Sequence, residues 1–258
     1  MEKGDNLLDE SFTVLIPAYN EERRIGSVLE EICDFIHKRG LNWKVVVSID
    51  GKDGTEGIVS SYSQRFSFIT SSRSLSRSGK ANALKRALKS VGTEYLITMD
   101  ADGSMSFQSI IDGLKYLTDF DVVVFSRYSN GNHIPMIRKF MSRGYNLLIR
   151  SLLGLKMKDT QSGYIAAVAK PFVSAMNKVG LTNGYYYAVL YYYLKKEQAK
   201  IIEIPVKYSH IDGSKFSPLT QVVGGVVSLV AFLLRHSRFY KYLPKKLVSL
   251  YYRKFRWI

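Results

Sequence analysis

Two carboxylates close an apolar run in the stretch YLITMDADGSM, where Asp100 and Asp102 flank Ala101. Burying unpaired charge is costly, and two like charges this close raise the cost. Something positive therefore belongs beside them. Alternating carboxylates just past a strand suit a hard divalent cation, Mg2+ or Mn2+, whose remaining positions are filled by water and phosphate oxygens. A D-x-D triplet alone also occurs in ordinary acidic surface loops, so its position decides its meaning. Three other apolar runs end in polar groups: PAYNEE (Pro17 to Glu22), IDGKDGT (Ile49 to Thr55) and SRY (Ser126 to Tyr128). In an open parallel sheet, ligands gather outside the carboxyl ends of the strands, where these four segments would converge.

The elements that must position them alternate from the start. FTVLIP reads as a strand, and Glu21 to His37 as a helix carrying Ile25, Val28, Leu29, Ile32, Phe35 and Ile36 at helical spacing, with Gly40 as its stop. KVVVSI is a second strand, after which Gly54 opens a helix with Asp53 as its N-cap. FSFIT is a weaker strand, Gly79 to Lys89 a helix, EYLITM a strand, Gln108 to Leu117 a helix and DVVVFS a strand. GYIAAVA returns to the sheet, YYYAVLYYYL is a buried helix and KIIEIPVKY a last strand. Repeated β-then-α units with near-continuous Val/Ile runs predict an α/β fold, with a mostly parallel sheet flanked by helices on both faces.

With 258 residues, 46% of them hydrophobic, the chain can bury a large core, and disorder is not expected. The lone Cys33 excludes an internal disulfide and fits a reducing compartment. The acidic start MEKGDNLLDESF lacks the basic, then apolar, pattern of a secretory signal, so export is not expected. The formal net charge of +15 is concentrated at one end: residues 213–258 hold nine Lys/Arg and no Asp or Glu. That excess implies an anionic partner, nucleic acid or a membrane surface.

Two segments suit a membrane surface. MIRKFMSRGYNLLIRSLLGLKMK mixes six cations with apolar residues before Asp159 supplies an acid, and reads as a basic amphipathic helix or helix pair over about 134–156. The run from Val222 to Leu234 is apolar but for one Ser, too short for the roughly 20 residues of a spanning helix. It reads as interfacial or re-entrant, followed by a tail mixing cations with Tyr, Phe and Trp; an ordinary core helix with a solvated basic end is the plainer alternative. The expected organisation is a catalytic unit over 1–217 and a basic, amphipathic, membrane-associating segment over 218–258. A nucleic-acid-binding module would use the same interleaved aromatics and cations, but it leaves MDADGS and the apolar run unexplained.

In order along the chain, PAYNEE followed by a helix, RSGKANALKRAL, MDADGS, SRY, RKFMSRGYNLL, DTQSGY and HIDGSKF resemble the family 2 inverting glycosyltransferases of the GT-A (Rossmann-like) fold. Within that family the set is most similar to the polyprenyl-phosphate (dolichyl-phosphate) mannose or glucose synthases, from about Phe12 to Leu234. The resemblance implies a metal-dependent hexosyltransferase that moves mannose or glucose from GDP-mannose or UDP-glucose to polyprenyl or dolichyl phosphate. It further implies a peripheral membrane protein on the cytoplasmic face, with no nucleic acid as partner. By the same resemblance Pro17, Tyr19 and Glu21 line the nucleotide site, Asp50 reads the base, Lys80 lies close to the nucleotide, and His210 and Lys215 close over the diphosphates. Asp100 and Asp102 hold the metal, with Ala101 between them on the donor. Arg127, Arg138 and Ser142 match positions that hold the acceptor phosphate. Ser104 stands where some relatives place a Gln metal ligand.

Parts of this follow from the residues themselves. Lys80 is not a P-loop lysine, because Ser74 replaces the first Gly and Ala81 the Ser/Thr. Arg138 and Ser142, four residues apart, share a helical face, and Arg forks suit phosphate oxygens. A hydroxyl nucleophile needs a base, and the only acid between Val122 and Lys196 is Asp159. A lipid monophosphate is already anionic near neutral pH and needs cations instead. A phosphate acceptor is therefore favoured; joined to what the resemblance implies, this makes Asp102, Arg127 and Asp159 the catalytic set. The alternative is a hydroxyl acceptor with Asp159 as base, and Asp159→Asn is expected to abolish that activity while sparing phosphate transfer. Asp159 as a cap for the loop before Gly163, or as a residue that orients a neighbouring cation, is the structural alternative.

Overall fold

The computed structural model describes residues 5–128, 136–180, 186–208, 229, 230 and 232–234. Seven strands form one sheet: β1 (Phe12–Tyr19), β2 (Lys44–Asp50), β3 (Ile69–Ser74), β4 (Tyr95–Thr98), β5 (Val122–Ser126), β6 (Ile165–Val168) and β7 (Ile201–Pro205). Their order is β3-β2-β1-β4-β6-β5-β7. Every pairing is parallel except those of β6, which runs antiparallel to both β4 and β5. The sheet is thus mostly parallel, as the Val/Ile runs predict, and β6 is the exception.

Alternate residues of each strand feed two cores, the period-two consequence of the pleat. On one face Val14, Ile16, Val45, Val47 and Ile97 pack with Ile25, Leu29 and Ile32 of helix α1 (Ile25–Arg39). On the other, Leu15, Val46 and Leu96 pack with α3 (Lys80–Leu88), α6 (Ala169–Lys178) and α7 (Tyr186–Lys196). Helix α7 is buried along most of its length, from Tyr186 to Tyr191 and at Leu194, as the Tyr-rich run suggests.

Several boundaries differ from the sequence reading. Helix α1 starts at Ile25 rather than Glu21, and the Glu21 and Glu22 amides are bonded to Thr55 Oγ1 and the Asp53 carboxylate. Strand β3 is ITSSRS rather than FSFIT; as an edge strand it tolerates exposed serines. Helix α2 (Thr55–Arg65) begins one residue later than Asp53 as N-cap implies, yet Asp53 Oδ1 still accepts from the Thr55 amide and hydroxyl at 3.2 and 2.6 Å. The expected helix over Gln108 to Leu117 divides into α4 (Phe107–Gly113) and a 3-10 turn, Leu114–Thr118. Helix α6 has no counterpart in the sequence reading.

The basic amphipathic segment is helix α5 (Met136–Leu153). Ile149 and Leu153 are buried whereas Leu147, Leu148 and Leu152 are exposed. Most of the run from Val222 to Leu234 lies outside the described residues; Leu229 and Phe232 are buried, with Phe232 edge-on to Tyr192 at 5.4 Å. Among the described residues no helix is long and apolar enough to cross a membrane.

Candidate functional site

The carboxyl ends of β1 and β2 lie side by side, with Pro17 opposite Ser48 and Tyr19 opposite Asp50. Their loops lock together. Glu22 Oε2 accepts from the Gly54 amide at 2.8 Å, and Glu21 donates its amide to Thr55 Oγ1 at 2.8 Å while its carboxylate pairs with Arg24. Gly51 has φ +106° and lies against the Asn20 side chain, whose Cγ is 3.0 Å from where a Cβ would sit, so both conformation and space require glycine. Arg77 lies over the Tyr19 ring, 4.5 Å from its centroid.

Asp50 is buried, and its partners define the next part of the rim. Its carboxylate accepts from the Ser78 amide at 2.7 Å, from the Ser78 hydroxyl, and from Arg86 Nη2 at 2.6 Å. It therefore ties the loop before α3 to the end of β2 and fixes where that helix begins. Lys80, the first residue of α3, pairs with Asp100 and lies 5.3 Å from the Tyr187 ring centroid. Burial pulls against the charged form of Lys80, but Asp100 and Tyr187 outweigh it, and its pKa is raised.

Past β4, Asp102 is held by neutral donors. Oδ1 accepts from the Ser104 amide at 3.0 Å and the Tyr164 hydroxyl at 3.2 Å. Ser104 Oγ and Tyr164 Oη are 2.9 Å apart, and Tyr208 hydrogen-bonds with Ser104 and is held in the field of both Arg127 and Asp102. Burial, then Asp100 and Asp102, push the Tyr164 pKa well above its ordinary value, so its hydroxyl stays protonated as a donor. Gly163 is packed against this cluster: an added Cβ would overlap the Tyr187 hydroxyl and stand 3.0 Å from Asp100 Oδ1.

The donor set suits a hard divalent ion. Two carboxylates share one strand end, and among the described residues no Lys or Arg pairs with Asp102. No cluster of three His, Cys, Asp or Glu that could hold a metal occurs among the described residues.

Arg127 follows β5 and is fixed by Asp159. Nε donates to Oδ2 at 2.9 Å and Nη2 to Oδ1 at 2.8 Å, while the Arg127 and Gln161 amides add bonds of 3.1 Å each. Asp159 is fully buried, and Glu203 holds its loop by accepting the Lys158 and Asp159 amides at 2.6 and 2.8 Å. Burial would raise the Asp159 pKa, but Arg127 and the amides overcome it and lower it. Burial likewise opposes the Arg127 charge, and Asp159 reverses that, so the guanidinium is held charged. The orienting role expected as the structural alternative for Asp159 is the one the geometry displays. Four donors occupy its oxygens, an arrangement poorly suited to taking a proton.

Of the residues expected at the site, Pro17, Tyr19, Glu21, Asp50, Lys80, Asp100, Ala101, Asp102, Arg127 and Asp159 lie at or beside the carboxyl ends of the strands. Arg138 and Ser142 lie one turn apart on α5. His210 and Lys215 lie outside the described residues. Sequence reasoning missed Tyr164, Tyr187, Tyr208 and Glu203. Tyr164 had a visible signal, directly following the glycine of DTQSGY; Glu203 had none.

Comparison with known proteins bears on this geometry. The pattern of Glycosyl transferase family 2 matches residues 13–172. Among curated proteins, the chain is 28% identical to a dolichyl-phosphate beta-glucosyltransferase of Trichomonas vaginalis, over 88% of this chain and 73% of that protein. It is also 28% identical to the dolichyl-phosphate beta-glucosyltransferase of Saccharomyces cerevisiae, over 80% of this chain and 69% of that one. Among solved structures, glucosyl-3-phosphoglycerate synthase from Mycobacterium tuberculosis, in complex with Mn2+, UDP and glucosyl-3-phosphoglycerate, superposes with a TM-score of 0.63 at 16% identity, over 88% of this chain and 84% of that one. Mannosyl-3-phosphoglycerate synthase from Rubrobacter xylanophilus gives 0.63 at 17%, over 90% and 77%. The sheet and its flanking helices are those of the GT-A fold.

Proposed function

The chain belongs to glycosyl transferase family 2, and from that premise we propose that it transfers glucose from UDP-glucose to dolichyl or another polyprenyl phosphate at a membrane surface. The observation that carries this reading is the Arg127–Asp159 pair. The one acid between Val122 and Lys196 is consumed in presenting a guanidinium, and a presented cation suits an anionic acceptor better than a hydroxyl that must lose a proton. The relatives' activity, dolichyl-phosphate beta-glucosyl transfer, supports glucose over mannose, and the UDP bound in the mycobacterial synthase supports UDP over GDP.

In this reading the interlocked β1 and β2 loops receive the nucleoside, with Tyr19 and Asp50 at its edge. Asp100 and Asp102 would hold a Mg2+ or Mn2+ ion, which supplies charge stabilisation for the departing diphosphate; the Mn2+ and UDP bound in the mycobacterial synthase support that role. Arg127, with Arg138 and Ser142 on α5, orients the acceptor phosphate. One of its oxygens forms a bond to the anomeric carbon as the bond to the diphosphate breaks, and in-line attack inverts that carbon. No proton need be removed. His210 and Lys215 would close over the diphosphate.

The membrane seat is part of the same proposal. Leu147, Leu148 and Leu152 are exposed on α5 near the exposed Arg143, a pairing of apolar and cationic groups that suits an anionic bilayer surface. The basic 218–258 segment would add to it, on the cytoplasmic face, beyond a catalytic unit spanning 1–217. The test is incubation of the purified chain with UDP-glucose or GDP-mannose, polyprenyl phosphate and Mn2+, scoring lipid-extractable sugar. Glucose in the lipid phase from UDP-glucose is expected; sugar only on a hydroxyl acceptor, or from neither donor, defeats the reading.

A further inference from the structure

We infer that Lys80 serves as an internal counter-ion that competes with the divalent metal for Asp100, and thereby makes metal and nucleoside diphosphate bind cooperatively. This rests on the reading that Asp100 and Asp102 hold the ion. Three observations place Lys80 in that role. Its Nζ is paired directly with Asp100 Oδ1 rather than directed to bulk water. The pair has close neighbours: Tyr187 lies against Lys80, and Gly163 comes near enough that an added Cβ would stand 3.0 Å from Asp100 Oδ1. Asp102, one residue beyond, is bonded to neutral donors and has no comparable cation among the described residues.

The two carboxylates are therefore unequal. An ion arriving alone reaches Asp102 readily but has to displace an ammonium from Asp100. That ammonium then needs another anion, and the phosphates of the nucleotide are the group the site exists to receive. Lys80 begins α3, and its side chain is one-third exposed, so its four-carbon stem can swing from Asp100 toward a ligand on the rim. A diphosphate that takes over Lys80 frees Asp100 for the ion, and an ion on Asp100 frees Lys80 for the diphosphate. Such coupling is reciprocal: each ligand raises the affinity of the other by the same factor. The device suits a site in which an ion held without donor would serve no purpose.

The experiment uses the full chain and two variants, Lys80→Met and Lys80→Gln, each first checked for an unchanged thermal transition. Free Mn2+ is followed by electron paramagnetic resonance in a titration without nucleotide. UDP affinity is then measured by calorimetry in EDTA and again in saturating Mn2+. In wild type, Mn2+ alone is expected to bind weakly and to increase UDP affinity strongly. Removing the lysine should tighten Mn2+ alone by about tenfold and weaken UDP in EDTA, so that the factor by which Mn2+ enhances UDP binding falls by about tenfold. Should one variant fail to fold, the other decides. Unchanged Mn2+ affinity in the folded variants, or an undiminished enhancement, overturns the inference. Absence of Mn2+ binding by wild type with and without UDP overturns it together with the metal assignment. Neither outcome depends on lipid-linked sugar, so the glucose-transfer proposal stands or falls separately.

Discussion

Replacing Asp159 with Asn changes one atom and tests what that side chain is for. In the structure its two oxygens accept four bonds, from Arg127 N, Nε and Nη2 and from Gln161 N. The Asn amide would turn a donor toward at least one of these donors and remove the charge that Asp159 sets against the Arg127 guanidinium. Breaking a buried pair costs roughly 3–5 kcal/mol. Arg127 is 31% exposed and can recruit water, so the lower end, about 3 kcal/mol, is expected. At about 2–4 °C per kcal/mol for a chain of this size, the midpoint should fall by roughly 6–12 °C in a thermal scan followed by circular dichroism. If the proposed function holds, glucose transfer to polyprenyl phosphate should weaken mainly through a raised KM for the acceptor, because Arg127, the residue proposed to orient its phosphate, is no longer fixed. This revises the expectation from sequence that phosphate transfer would survive the substitution. The pH dependence has a definite sign. The Asp159 pKa is lowered on folding, so its contribution is complete above the ordinary carboxyl value near 4 and disappears as pH falls through the folded value. The difference between wild type and variant should therefore shrink in acid. A variant with an unshifted midpoint and no activity toward any acceptor would show a catalytic base instead, and would refute this reasoning.

Other consequences are simpler to check. Gly163→Ala should overpack the rim against Tyr187 and Asp100, lowering stability by about 1–3 kcal/mol in urea titration and weakening Mn2+ binding at the same time. Asp50→Ala removes the acceptor shared by Ser78 and Arg86, and should speed proteolysis of the loop before α3 and lower UDP affinity. Cys33 is buried, and burial with the nearby Glu30 pushes its thiol up to about 12, so no labelling by a thiol reagent is expected at pH 8 until the chain is unfolded. Replacing Leu147, Leu148 and Leu152 together with Ser should reduce sedimentation with anionic vesicles while leaving the thermal midpoint within a few degrees, because these side chains are already exposed.

The parts of the fold that were legible from sequence are those whose burial is complete. KVVVSID and VVVFS each carry an unbroken run of buried valines because helices cover both sides of the central sheet, and such runs have few alternatives. Strand β3 was misplaced for the opposite reason: at the sheet edge its serines are exposed, and the stronger apolar signal lay just before it. The direction of β6 is not encoded in IAAV, which would suit either orientation. Helix α6 was masked by Pro171, which falls in the first turn, where the missing amide costs nothing. At the site, the strand-end acids were visible because unpaired charge after an apolar run is unusual. Their partners were not, since Arg127 and Asp159 lie 32 residues apart and Glu203 another 44 beyond, and nothing local joins them. The one trace was Asp159's isolation in a long basic stretch, a pattern that suits a base and a brace alike.

An anomalous difference map from crystals of the full chain soaked with Mn2+ and UDP would locate donor and ion together. If the strand-end acids hold the ion, the map will show a single strong peak against the Asp100 and Asp102 carboxylates, bridging to the diphosphate, with Lys80 moved off Asp100. A peak elsewhere, or a diphosphate bound away from this strand end while Lys80 remains paired with Asp100, would contradict it.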